Sequence, residues 1–241
     1  MRIRDWAIGL IALALALSPA LAAAGAGDGR GQAAGKSAAA GQIEKIDEAV
    51  RVLNEMMKES DKSIPESLIR NCAGIAIIPD VIRAGLVIGG RHGRGVVLVR
   101  TGDRGWSDPA FIEITGGSVG WQAGVQSADI ILVFRTPRSV EHLAENKFTL
   151  GADVGVAAGP LGRTAEASTD AALKAEILSY SRSRGLYAGL TVQGSSIQED
   201  RKANRNFYGA DVSPKDIFNG KAPASPAAAG KLRTALAELL K

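Results

Sequence analysis

Leu150-Gly151-Ala152-Asp153-Val154-Gly155-Val156-Ala157-Ala158-Gly159 alternates two kinds of residue. Leu150, Ala152, Val154, Val156 and Ala158 form one set; Gly151, Asp153, Gly155, Ala157 and Gly159 form the other. A period of two predicts a half-buried β-strand. Two more stretches repeat the pattern. Val119, Trp121, Ala123 and Val125 oppose Gly120, Gln122, Gly124 and Gln126, and Leu186, Ala188, Leu190 and Val192 oppose Tyr187, Gly189, Thr191 and Gln193. Strands of this kind belong mostly to antiparallel sheets. Glycine weakens a strand interior, so its recurrence needs a cause: a bulge, sharp coiling, or close approach of a helix or ligand. A sheet that curls on itself or around a helix supplies all three. The expected class is α+β: a strongly coiled, mostly antiparallel sheet or barrel with an N-terminal amphipathic helix and further short helices.

Outward from these strands, Ala73–Ile78 and Val96–Val99 are short apolar runs expected as buried strands. Gln42–Asp61 spaces Ile43, Ile46, Val50, Leu53 and Met57 three and four apart, which predicts the amphipathic helix. Pro65 fits the first turn of a second helix with Ser63 as N-cap. Pro137–Asn146 and Ile197–Asn206 suggest two more. Helices do not regularly separate the strands, which excludes a doubly wound sheet.

The termini read differently. Arg2 and Arg4, the apolar run Trp6–Leu17 and the small-x-small site Ala20-Leu21-Ala22 predict an export signal over 1–24. The apolar run is shorter than the ~20 residues a membrane helix needs. Gly25–Gly41, rich in Gly and Ala, is expected to be a flexible linker. One folded domain is expected over 42–220. A second linker and a short helix carrying Leu232, Leu236, Leu239 and Leu240 are expected over 221–241. The predicted location is exported, periplasmic or secreted, peripheral to a membrane.

Composition narrows the chemistry. The 241 residues are 46% hydrophobic and 22% charged, which excludes wholesale disorder and a polytopic membrane protein. One cysteine and two histidines leave no disulfide framework, no Cys-rich metal site and little room for a multi-histidine one. No metal and no cofactor are expected. The net charge of +4 permits an anionic partner only if the basic residues cluster.

They do cluster along the chain. Ile82–Arg104 holds five Arg against one Asp, and Arg182–Arg205 holds five basic residues against two acids. Within the first lies Gly89-Gly90-Arg91-His92-Gly93-Arg94-Gly95, where glycines free backbone amides and arginine forks suit phosphate oxygens. A solvated hairpin tip would read the same way. The segment matches neither the P-loop nor the dinucleotide fingerprint. Nucleic acid is not expected, since aromatic interleaving is poor. Gly116-Gly117-Ser118-Val119-Gly120 matches G-x-S-x-G formally, but that motif needs a strand-to-helix turn, and strand residues follow here. No catalytic residue is assigned and no enzyme is expected. Cys72, in an apolar stretch, reads as a buried inert thiol.

The same segments, in order, resemble the SYLF lipid-binding domain family. The resemblance runs from Ile64-Pro65 and Gly74-Ile75-Ala76 through Ile82-Arg83-Ala84-Gly85, Gly89-Gly90-Arg91, Gly93-Arg94-Gly95 and Trp106-Ser107-Asp108-Pro109. It continues through Gly117-Ser118-Val119-Gly120, Leu150-Gly151-Ala152-Asp153, Ala158-Gly159-Pro160-Leu161-Gly162-Arg163, Tyr180–Gly189 and Phe207-Tyr208-Gly209. It implies a non-enzymatic, membrane-associating domain. Eukaryotic relatives bind phosphoinositides, and some fungal ones bind actin. For an exported chain the expected partner is an anionic phospholipid membrane surface. Actin is not expected as a partner. An envelope protein partner, met through the C-terminal helix, is the alternative. The candidate headgroup-binding residues are Arg83, Arg91, His92, Arg94, Arg182 and Arg184. In eukaryotic relatives a basic N-terminal helix is implicated in insertion. Here Gln42–Asp61 carries six acids and three bases, which favours packing on the core.

Overall fold

The computed structural model describes residues 29–58, 63–85, 88–102, 105–119, 124–145, 147–162, 172, 174–183, 186–188, 192–223 and 225–239. The expected signal over 1–24, Arg184 and Leu240 lie outside them, as do parts of two alternating stretches.

The chain opens on helix α1, Gly29–Met57, followed by α2, Glu66–Asn71. The main strands are β1 Gly74–Gly85, β2 Ile88–Thr101, β3 Gly105–Trp106, β4 Ala110–Val119 and β5 Gly124–Phe134. After α3, Pro137–Glu141, and a 3-10 turn, His142–Ala144, come β6 Lys147–Thr149, β7 Val156–Ala158, β8 Ile177–Ser183, β9 Leu186–Ala188 and β10 Ser195–Glu199. Helices α4 Arg201–Tyr208, α5 Pro214–Phe218 and α6 Ala228–Glu238 follow.

The strands form one curled half-barrel sheet in the order β6-β10-β4-β2-β1-β5-β8-β7, with β3 on β2 and β9 on β8. All the pairings are antiparallel except β7 with β8. The α+β expectation therefore stands.

Register tells which residues share a face. Phe111, Val96, Ile77, Ile131 and Tyr180 are successive partners across five strands, so they form one row on one face. All five are buried. Phe111 meets Phe207 of α4 at 5.1 Å between ring centroids, and α1 packs on the same side, against β1, β2, α4 and α6. From α1, Ile46, Ala49, Val52, Leu53 and Met56 are essentially inaccessible. Each large apolar side chain so buried contributes ~1.5–3 kcal/mol over leaving it in water. The first helix thus packs on the core, as its acidic charge suggested.

Several local expectations change. The segment 29–41 continues α1 instead of forming a linker. Alanine has the highest helix propensity, and extending a formed helix avoids the cost of nucleation. The domain does not end at Gly220. Ala228, Ala229, Leu232, Ala235 and Leu236 of α6 are buried, and Lys231 reaches Asp47 of α1 at 2.6 Å. The helix at Leu232–Leu236 was legible, but its apolar stripe is spent on the core, not left for a partner. Ser63 is not an N-cap. Pro65 holds that position, its carbonyl accepting from the amides of Leu68 and Ile69.

Leu150–Gly159 is not one strand. Leu150 bridges Val154 across a turn in which Gly151 has φ +87°, and the Thr149 amide donates to Asp153 Oδ2 at 2.7 Å. Only Val156–Ala158 is strand. Alternation cannot tell a strand from a loop that tucks in two apolar residues. Similarly, Ile197–Asn206 divides into β10 and α4. Asp200 caps α4, its side chain accepting from the Ala203 amide at 2.9 Å.

Candidate functional site

Strand β1 changes character half-way. Between Ile77 and Ile82 it carries one residue more than β2, a bulge in which Asp80 has φ +50°. Asp80 is held there by its amide, which donates to Asp129 Oδ1 at 3.1 Å. Before the bulge every residue from Gly74 to Pro79 is buried. Beyond it the strand is partly open to solvent. The beginnings of β2 and β5 pair with this second half, and the end of β4 pairs with the beginning of β2, so all four meet at one end of the sheet.

At that end the two faces differ. On the face away from α1, Gln126, Arg83, Arg91, Gly116 and Ser195 are successive partners across five strands. Arg83 and Arg91 stand directly opposite each other. Arg91 is only 7% exposed, and its Nη1 donates to Ser195 Oγ at 2.9 Å, two strands away. Gly116 lies between them in the row. A Cβ there would approach Ser195 Oγ to 2.7 Å, so glycine leaves the passage the guanidinium uses. Among the described residues neither arginine meets a carboxylate. Burial, and then the charge of Arg83, push the Arg91 pKa down. A guanidinium so placed is costly without an anion, because desolvation is uncompensated.

The other candidates go elsewhere, because alternation sends them there. His92 and Arg94 project to the α1 face. His92 is exposed, and Arg94 pairs with Asp200 at 3.5 Å while remaining 63% exposed. Arg182 is on that face too, between Glu55 of α1 and Asp129 of β5, the latter at 3.1 Å. It ties the helix to the sheet and is not an open cation. Among the described residues the candidate cations therefore divide between two faces, Arg83 and Arg91 on one and His92, Arg94 and Arg182 on the other. Parity along β2 gives the reason: Arg91 and Arg94 are three apart and cannot share a face. Arg184 lies outside the described residues.

Sequence reading missed the partners Ser195, Glu55 and Asp129, which are 104, 127 and 53 residues from the arginines they meet. The hairpin-tip reading of Gly89–Gly95 also gives way, since these residues lie inside β2. Gly95 shows why glycine is needed there. A Cβ on it would fall 2.2 Å from the Ile77 carbonyl oxygen, at the bulge.

Other sites resolve plainly. Ser118 pairs with Gly89 inside β4, so it stands within a strand and not at a strand-to-helix turn. Cys72 is buried, donates to the Ile69 carbonyl at 3.2 Å, and burial pushes its thiol pKa up to about 11. Among the described residues no cluster of His, Cys, Asp or Glu is placed to hold a metal ion. No described helix is long and apolar enough to cross a membrane.

A family model described as "Ysc84: Las17-binding protein actin regulator" matches residues 115–239, more than half of the chain. The chain belongs to the Ysc84 family. This is the SYLF family of the sequence resemblance, and the match runs past Gly220 through α6, in agreement with the packing of that helix. Protein YSC84 of Saccharomyces cerevisiae is 38% identical over 193 residues, which cover 77% of this chain and 41% of the relative. LAS seventeen-binding protein 3 of the same species is 37% identical over 187 residues, covering 74% and 40%. The human SH3 domain-containing YSC84-like protein 1 is 38% identical over 164 residues, covering 68% and 48%. The chain thus spans two-fifths to about half the length of these relatives. The family description gives no support to the expectation that actin is excluded as a partner.

Proposed function

We propose that this Ysc84-family domain binds the headgroups of anionic phospholipids at a membrane surface, without catalysis. The observation that carries the reading is the Arg83–Arg91 pair: two arginines opposite each other on neighbouring strands, one half-buried and one buried, neither meeting a carboxylate among the described residues. Arginine forks match phosphate oxygens, and an arriving phosphate would offset the desolvation already incurred. The proposed location is an exported, periplasmic or secreted one, on the strength of residues 1–24 alone; N-terminal sequencing of the mature chain tests it.

Cosedimentation with vesicles tests the binding. The domain is expected to pellet with phosphatidylserine-containing phosphatidylcholine vesicles at low salt and to be released as salt screens the attraction. Equal binding to neutral vesicles, or none to anionic ones, overturns the reading. The family description supports a second reading, a protein partner of the actin-regulating machinery. Burial of α6 argues against the C-terminal helix as its docking element. Pelleting with filamentous actin in the absence of lipid would favour that second reading.

A further inference from the structure

The face opposite the arginine pair carries its own anomaly. Level with the bulge, the α1 side of the sheet has a belt of polar and charged groups: Gln198, Glu113, Arg94, Asp129 and Arg182, joined by Glu55 from α1. On one side of the belt lies the buried apolar row beneath α1. On the other side water is expected, and polar residues with it. Instead Ile82 is 51% exposed and Val125 70%, the exposed large hydrophobic side chains of the described residues. Ile82 pairs with His92 and Ser127, while Val125 pairs with Ala84, which pairs in turn with Gly90. Gly90 pairs with Gly117. Ala84, Gly90 and Gly117, the described neighbours in the Val125 row, are small and exposed.

We infer that this strand end enters the bilayer, Ile82 and Val125 passing into the acyl boundary while Arg83 and Arg91, on the reverse face of the same strands, stay at headgroup level. The inference rests on the membrane reading above and adds an apolar wedge to it. Charge complementarity selects the bilayer as occupant. Arg83 is half-buried and Arg91 buried, and neither meets a carboxylate among the described residues, while the nearby carboxylates are engaged: Asp129 with Arg182, Glu113 with the Gln198 amide, and Asp80 with the Ser127 hydroxyl at 3.4 Å. Size argues against a second copy of the chain. Four strands ~4.8 Å apart and two rows ~7 Å apart enclose on the order of 150 Å², against the ~800 Å² per partner of a stable interface.

An environment-sensitive fluorophore on Val125→Cys tests this in the full chain. Cys72 is buried with a thiol pKa of about 11, so the introduced cysteine is the one labelled. Ser67→Cys, exposed on α2 at the other end of β1, serves as control. With vesicles of roughly one-third phosphatidylserine in phosphatidylcholine, the probe at 125 is expected to shift to the blue and brighten several-fold. The probe at 67 is expected not to change. The double variant Ile82→Asp, Val125→Asp is expected to lose roughly tenfold to a hundredfold in partitioning; Ile82→Ser, Val125→Ser, a milder pair, should fall between. Retained circular dichroism and thermal midpoint show that the variants fold. Sedimentation without a spectral change at 125, or double variants that bind like the parent, overturns the wedge and leaves headgroup binding standing. Loss of all vesicle binding by the parent overturns both. Self-association that disappears in the double variant assigns the strip to a second copy and overturns the inference.

Discussion

The two halves of β1 belong to one strand and differ in burial. Gly74–Pro79 lies wholly in the core; Val81–Gly85, past a one-residue bulge, carries an exposed isoleucine on one face and, on the other, an arginine that meets no carboxylate among the described residues. Pairing continues across the bulge, so backbone hydrogen bonding does not distinguish the halves. What does is burial: α1 packs on β1 and every residue from Gly74 to Pro79 is buried, whereas Ile82 and Ala84 beyond the bulge are exposed. On the membrane reading proposed above, the strand is extended beyond its core because its end meets a bilayer.

Glycine substitutions should separate the halves most sharply. Gly95→Ala forces a Cβ to within 2.2 Å of the Ile77 carbonyl oxygen, where backbone must move. A loss of about 3 kcal/mol or more is expected in urea unfolding. Gly90→Ala, in the second half's neighbourhood, meets nothing within 4 Å and should change stability by about 0.5 kcal/mol or less. Comparable costs at both positions would break the distinction.

Side-chain truncation gives the next contrast. Ile77→Ala empties a fully buried site and is expected to cost about 2–5 kcal/mol. Ile82→Ala should cost under about 0.5 kcal/mol in solution, since half the side chain is already wet.

The smallest effect concerns the belt. Burial alone would raise the Glu55 carboxyl pKa, but the Arg182 hydrogen bond and charge, with help from Arg51, hold it below the ordinary 4.5. A depressed carboxylate stabilises the fold above its unfolded pKa, and that contribution is lost as pH falls through the folded value. Thermal midpoints should therefore drop on acidification below about pH 4.5, and less steeply in Glu55→Gln. An identical slope in that variant would remove Glu55–Arg182 from the ties between α1 and the sheet.

Much of this was legible in the chain. Period-two alternation and misplaced glycines pointed to a curled antiparallel sheet, and the 3.6-residue spacing placed the buried face of α1. The turn at Leu150–Val154 was not legible, because a loop that buries Leu150 and Val154 alternates like a strand. Nor was the length of α1, since an alanine-rich stretch is a poor linker once a helix already precedes the core. For the site, the sequence supplied the arginines but not their partners. Counting parity along β2 would have separated Arg91 from His92 and Arg94. Nothing local could have shown that Arg182 meets Glu55, 127 residues away.

The measurement closest to the central claim is the partitioning of Arg83→Glu into phosphatidylserine-containing vesicles beside the parent protein, at low and high salt. Arg83 is half-buried and makes no ion pair among the described residues, so the fold should survive the change. The account predicts at least a tenfold loss at low salt, with parent and variant converging as salt rises. Unchanged partitioning of a folded Arg83→Glu protein would contradict it.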